Sequence, residues 1–509
     1  MKTELSAPEY LRRMRSSAVY AVAIRSPLDF CPVLSRRTGN RVYLKREDQQ
    51  PVFSFKLRGA FSMMARLDAE TLARGVVAAS AGNHAQGVAL AAQRLGTHAT
   101  IVVPRTAPEI KQEAIRRLGA ELVLHGDSYD EAYGKAYQIA ECRGLAFVHP
   151  YDHPDVIAGQ GTIGLEIDEQ LREPIHAVFV PVGGGGLIAG IALALKQLRP
   201  EVLVIGVEPE DSDAMARSLT AGHRETLDRV GIFADGVAVR TPGEETFRIA
   251  RDWVDGVEVV SNDAICGAVK EIFEDRRAIL EPAGALAYAG LRAYAERKAV
   301  REEVLIAIAS GANLNFDRLR TIAERAEIGE QHEAVFAVTI PERPGSFRRL
   351  CAVLGERNVT EFNYRMGDSS RAAVFVGVQV ANTAERGVLR SHLESEGYET
   401  LDLTDDEIAK THVRHMVGGR SPNAADERIF HFDFPERRGA LNEFLDRLGG
   451  TWNVSLFHYR NHGAEQGRVL CGIQVPPGTV TQFDQFLADV GYGYVEHTNS
   501  PALRLFLGV

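Results

Sequence analysis

The sequence predicts an α/β protein with parallel sheets over its first two thirds, followed by a duplicated α+β segment. Three observations carry this. From about Tyr10 to Leu319, short apolar runs alternate with stretches of helical period, the pattern of strands joined by crossover helices. Three runs lead into loops of glycine and small polar residues. In a parallel sheet such transitions share one edge, where ligands bind. The last third repeats itself.

In chain order, Ser54-Phe55-Lys56-Leu57-Arg58-Gly59-Ala60 comes first. Leu57, Phe61, Met64 and Leu67 recur at helical spacing, which puts Lys56 at a helix entrance beside an apolar body. A partly desolvated ammonium has a lowered pKa and can act as a nucleophile or bind a carbonyl carbon covalently. The plainer reading is a solvated surface lysine. The run Val76-Val77-Ala78-Ala79 leads into Ser80-Ala81-Gly82-Asn83-His84-Ala85-Gln86-Gly87, then a small-residue helix ending near Leu95-Gly96. Residues 99–103 and 122–125 read as further strands, with a helix after Pro108 between them. Residues 178–182 form a strand before Gly183-Gly184-Gly185-Gly186, and a helix follows over 187–198. Glycine lets backbone N–H groups approach an anion closely, and a helix N-terminus favours that anion. Gly184-x-Gly186-x-x-Ala189, with Glu208 at the end of the next strand, also fits a dinucleotide fingerprint. That alternative gives no role to Lys56 or to the Asn83 loop. The run at 304–309 ends in Ser310-Gly311-Ala312-Asn313, and a charged helix over 318–330 marks a boundary.

Beyond it, Pro341-Glu342-Arg343-Pro344-Gly345-Ser346-Phe347 matches Pro435-Glu436-Arg437-Arg438-Gly439-Ala440-Leu441 at an offset of 94 (435 − 341). Asn358-Val359-Thr360-Glu361-Phe362-Asn363-Tyr364-Arg365 matches Asn453-Val454-Ser455-Leu456-Phe457-His458-Tyr459-Arg460 at 95 (453 − 358). Each unit reads βαββαβ. The expected domains are 1–328, 329–420 and 421–509.

A formal net charge of −10 argues against nucleic-acid binding as the main task. Five scattered cysteines without a Cys-x-x-Cys are neither a disulfide framework nor a zinc site, and they fit a reducing compartment. No apolar run is long enough to cross a membrane. The N-terminal arginines (Arg12, Arg13, Arg15) resemble a transit peptide only weakly, and the expected location is cytoplasmic.

The motifs, in this order and combination, resemble the biosynthetic threonine dehydratases over nearly the whole length. These are pyridoxal 5'-phosphate enzymes of the tryptophan-synthase-β fold type with a tandem ACT-like regulatory domain. The resemblance implies conversion of L-threonine to 2-oxobutanoate and ammonia, with L-serine a second candidate substrate. Lys56 would hold the cofactor covalently and take the α-proton once freed. Phe55 would stack on the ring, Asn83 would meet its ring oxygen, and Ser310 its nitrogen. Gly183, Gly184, Gly185, Gly186 and Leu187 would hold the phosphate. Ser80, Gly82, Asn83 and His84 would bind the substrate carboxylate, with His84 orienting the loop rather than acting as base. Ala81 stands where related serine racemases carry a serine base, so elimination is expected over racemisation. No carboxylic acid stands out in these loops, which leaves the cofactor phosphate as proton donor to the leaving hydroxyl. The role of Glu281-Pro282-Ala283-Gly284-Ala285 stays open.

The resemblance further implies inhibition by isoleucine, opposition by valine, and a homotetramer. Asn363, Tyr364, His458 and Tyr459 are the expected effector residues. No metal site is expected: Glu208, Glu210 and Asp213 read as a solvated acidic loop rather than a cation site. Two rivals stand beside this reading: a degradative serine/threonine dehydratase, which usually lacks the tandem repeat, and a catalytically inactive amino-acid sensor.

Overall fold

The computed structural model describes residues 5–499, apart from 81, 106, 108, 127, 232, 317, 330–332, 356, 367–369, 407–408, 410–420, 422, 436–439, 449 and 461–465. The chain divides into two compact units, Met1–Gly329 and Glu330–Val509.

Among the described residues, the first unit holds ten strands in two sheets. They are β1 (Leu28–Phe30), β2 (Arg41–Arg46), β3 (Val76–Ala79), β4 (Ala99–Val103), β5 (Glu121–Leu124), β6 (Ala146–Phe147), β7 (Ala177–Pro181), β8 (Leu203–Pro209), β9 (Gly256–Val260) and β10 (Val304–Ala309). One sheet has the order β1-β2-β10-β7-β8-β9, the other β5-β4-β3-β6. Every pair is parallel except β1 with β2. Strands β3, β4, β7 and β10 are buried throughout, which is why they read as continuous apolar runs rather than alternating ones. The expectation of one shared edge is corrected here. The loops after β7 and β10 leave neighbouring strands of the larger sheet, but the Ser80 loop leaves β3 in the smaller one. Apolar runs specify that a strand is buried, not which sheet receives it.

The helix Lys56–Met64 is fixed from behind by charge. The Arg58, Lys45, Glu47 and Glu166 side chains are fully buried. Arg58 Nε donates to Glu47 at 2.8 Å, Arg58 Nη1 to Glu166 at 2.7 Å, and Lys45 Nζ to Glu166 at 2.6 Å. Two cations thus face two carboxylates, the balance that buried charges require. Burial works to raise the Glu166 carboxyl, but Arg58 and Lys45 hold it below the usual carboxylate range.

The second unit is one antiparallel sheet built from both repeats. Its strands are β11 (Glu333–Pro341), β12 (Val359–Arg365), β13 (Arg371–Gln379), β14 (Glu399–Asp402), β15 (Glu427–Pro435), β16 (Asn453–Arg460), β17 (Gln466–Gln474) and β18 (Gly493–Glu496), in the order β14-β11-β13-β12-β16-β17-β15-β18. The repeats join where β12 meets β16, with Asn363 opposite His458. Both repeats carry an irregularity at the same place, between Val359 and Glu361 and between Val454 and Leu456.

Candidate active site

Lys56 is the first residue of its helix. The chain is pinned there by a bridge between Ser54 and Gly311 and by the Phe55 N–H donating to the Ser310 carbonyl at 3.2 Å. The lysine entrance is thereby tied to the end of β10. Lys56 Nζ donates to the Pro150 carbonyl at 3.2 Å and lies 5.3 Å from the Phe55 ring centre. Burial lowers its pKa to about 8, with the Glu281 carboxylate opposing that shift. An appreciable fraction of the amine is therefore neutral near physiological pH, as a nucleophile or base requires.

Around Lys56 lies a cavity whose walls include Phe55, Asn83, Gly183 to Gly186, Leu187 and Ser310. The tetraglycine joins β7 to the helix Gly186–Leu198. Gly185 has φ +93, where only glycine is unstrained. A Cβ on Gly184 would lie 2.3 Å from the Tyr151 ring. Thr246 Oγ1 donates to the Gly184 carbonyl at 2.6 Å and so holds the loop from outside. Ser310 is buried just past β10 and donates to the Ala283 carbonyl at 3.1 Å. That leaves the hydroxyl lone pairs for a ligand in the cavity.

Three expected residues do not line this cavity. Ser80 Oγ accepts from the Gly82 N–H at 3.1 Å, and Gly82 caps the helix Asn83–Leu95. His84 is buried, its Nε2 2.9 Å from the Val148 carbonyl oxygen. Burial, then the Lys56 charge, pushes its pKa down to about 3, so the ring stays neutral against that carbonyl. Ala81 lies outside the described residues.

Sequence reasoning missed Pro150 and Tyr151, which have no local motif and reach the site only through the fold. The sequence left the role of Glu281 open, and the structure gives it a place. Glu281 lines the cavity, buried and beside Asn83. The acidic-loop reading of Glu208 is corrected. Glu208 is buried and accepts from the Met215 and Ala216 N–H groups at 3.0 and 2.8 Å, at the start of the helix Ala214–Ala221. Among the described residues no cluster of three or more His, Cys, Asp or Glu could hold a metal ion.

The expected effector residues also separate. Neighbours on a strand face opposite sides. Tyr364 and Tyr459 face the apolar core, with Tyr364 buried and its hydroxyl donating to Glu342. Asn363 points to the other face, where its Nδ2 donates to Glu361 at 3.1 Å. The repeat alignment makes Asn363 and Tyr364 adjacent, and the pleat sets them on opposite faces.

The cavity fits pyridoxal phosphate. It offers a half-buried lysine for the carbonyl carbon, glycine N–H groups at a helix N-terminus for the phosphate, and a neutral hydroxyl for the ring nitrogen. Comparisons with known proteins agree. Residues 21–311 match the family model described as pyridoxal-phosphate dependent enzyme. Residues 324–413 and 418–507 each match that of the C-terminal regulatory domain of threonine dehydratase. The chain is 55% identical over 506 residues to the biosynthetic L-threonine dehydratase of Burkholderia multivorans, covering 99% of this chain and 100% of that one. It is 53% identical over 501 residues to the chloroplastic biosynthetic threonine dehydratase of Arabidopsis thaliana, covering 98% and 84%. Among solved structures, the processed form of threonine deaminase isoform 2 from Solanum lycopersicum matches with a TM-score of 0.62 at 51% identity, over 63% of this chain and 88% of that one. A catalytic unit built around Lys56 and a C-terminal regulatory domain present twice in one sheet place this chain in the family of biosynthetic threonine dehydratases, pyridoxal-phosphate dependent lyases.

Proposed function

We propose that the cavity around Lys56 eliminates water from L-threonine to give 2-oxobutanoate and ammonia, as the first committed step towards isoleucine. The observation that carries this is the meeting, in one cavity, of a lysine of lowered pKa, the tetraglycine helix entrance and the Ser310 hydroxyl. Bound there, pyridoxal phosphate supplies the electron sink that makes an amino acid's α-proton removable. Lys56 holds the cofactor at rest, and its amine, once displaced by substrate, takes the α-proton. Gly183 to Gly186 and Leu187 fix the phosphate, while Phe55 covers a ring face. Ser310 would give the ring nitrogen a neutral partner in place of a charged one. Of the residues expected at the substrate carboxylate, Asn83 lines the cavity and is assigned to it, at a helix N-terminus.

The same reading makes isoleucine the inhibitor and valine its opponent, acting at the C-terminal repeats through Tyr364 and Tyr459. It also includes a homotetramer in the cytoplasm, the location that fits five cysteines without a disulfide. Release of 2-oxo acid from threonine and from serine, each with and without isoleucine, tests it. Turnover of threonine that isoleucine suppresses and valine restores is expected. Absence of 2-oxo acid from threonine, with cofactor bound, would overturn the reading.

A further inference from the structure

Resting on that reading of the site, the geometry around Asn83 deepens it. Asn313 Nδ2 donates to Asn83 Oδ1 at 2.6 Å and to the Val52 carbonyl at 2.8 Å. The oxygen end of the Asn83 amide is thereby assigned. Asn83 Nδ2 then donates to Glu281 Oε1 at 2.6 Å. An amide nitrogen has two N–H donors, so a second one is left for a ligand of the cavity that Asn83 and Glu281 both line.

We propose that Glu281 is a positioning residue that acts through Asn83: with Asn313 it clamps the amide so that one N–H meets the carboxyl and the other serves the cofactor ring oxygen, and loss of the Glu281 proton to solvent is felt at the ring along that amide.

The surroundings place this proton in the working range of pH. Burial, and then the carboxylate of Asp235, push the Glu281 carboxyl up to about 7. The Asn83 amide, Lys111 and the Asn313 backbone N–H act the other way. Asp235 is itself held by Lys111 at 2.7 Å and by Arg318 at 3.6 Å. Lys56 is a further cation facing the carboxyl. Below about pH 7 Glu281 is neutral, and the Asn83 amide is polarised only weakly. Above it a buried anion draws on one amide N–H, in a medium where charge acts strongly.

The test is a pH titration of the visible absorption band of the full-length holoenzyme, without substrate, from about pH 5.5 to about 8.5. The wild-type band should shift with a midpoint near 7. Glu281→Gln, which keeps shape and the hydrogen bond from Asn83, should bind cofactor but lose the shift. Asp235→Asn should lower the midpoint by about half a unit to one unit, and should have no effect in the Glu281→Gln background. An unchanged transition in Glu281→Gln, or an Asp235→Asn effect that persists in that background, overturns the proposal. So does a wild-type band that ignores pH. If Glu281→Gln fails to hold cofactor, the Asp235→Asn midpoint alone decides: lowered supports, unmoved refutes. A wild-type protein that takes up no cofactor at all would instead refute the reading of the cavity.

Discussion

Removing the Lys56 amine leaves the tetraglycine cradle and Ser310 in place. Lys56→Ala should fold, lose the borohydride-reducible visible band, and lose turnover by several orders of magnitude. Retention of a reducible band would move the anchor to another lysine. His84 gives a test of burial. Its folded pKa, about 3, lies below that of an unfolded histidine, about 6.5. The sign follows from linkage. The contribution of the neutral ring is complete above about pH 6.5 and is lost as pH falls towards 3. Thermal unfolding of the wild type should thus become more acid-sensitive across that window than unfolding of His84→Gln, by an amount on the order of a few kcal/mol. Equal slopes of Tm against pH would show that the ring titrates freely. Lys56 and His84 sit on different helices, yet each has its pKa lowered mainly by burial. Burial alone does not put a group in the site: Lys56 lines the cavity, and His84 does not.

At the scale of elements, the helix that begins with Lys56 owes its placement to contacts on both sides. The backbone of Ser54 and Phe55 is tied to the loop after β10, and Arg58 is locked by Glu47 and Glu166. Glu166→Gln leaves two buried cations facing one carboxylate. It should cost about 3–5 kcal/mol in chemical denaturation, the range for breaking a buried pair from one side. A loss under about 1 kcal/mol would show that the network is better solvated than its geometry implies. The connector between β6 and the helix Pro154–Gln170 deserves the same weight. Pro150 receives Lys56, Tyr151 fills the space beside Gly184, and Asp152 accepts from the N–H groups of Glu244, Glu245 and Thr246 at 3.0, 3.0 and 3.2 Å. One short segment thus touches the lysine, the tetraglycine loop and a helix N-terminus.

For the whole molecule, the break at Gly329 separates a unit with its own two sheets and cavity from a unit with one sheet made of two repeats. Truncation after Ile328 should leave a catalytically competent first unit without a response to isoleucine, measured as 2-oxo acid release against effector concentration. Inhibition that survives truncation would place the effector site in the catalytic unit. Tyr364→Phe removes only the hydroxyl held by Glu342. It should weaken the isoleucine response within the usual coupling of about 1–3 kcal/mol and leave basal turnover near normal. Lower stability with an unchanged response would make Tyr364 a packing residue alone.

The sequence by itself determined the parallel α/β unit, the duplicated βαββαβ pattern, and the lysine, tetraglycine and Ser310 that line the cavity. These are written in local order: apolar runs of strand length, glycines at one loop, and two ordered matches between repeats. Tertiary structure alone decided which of those loops face one another. It sent the Ser80 run to a separate sheet and turned His84 inward. It set Asn363 and Tyr364 on opposite faces and brought Pro150, Tyr151 and Glu281 to the lysine from positions 94, 95 and 225 residues away (150 − 56, 151 − 56 and 281 − 56). The reason is physical. Periodicity fixes how a side chain points relative to its own element, whereas a site is made by side chains from several elements, whose meeting depends on strand order and packing that no short stretch of sequence encodes.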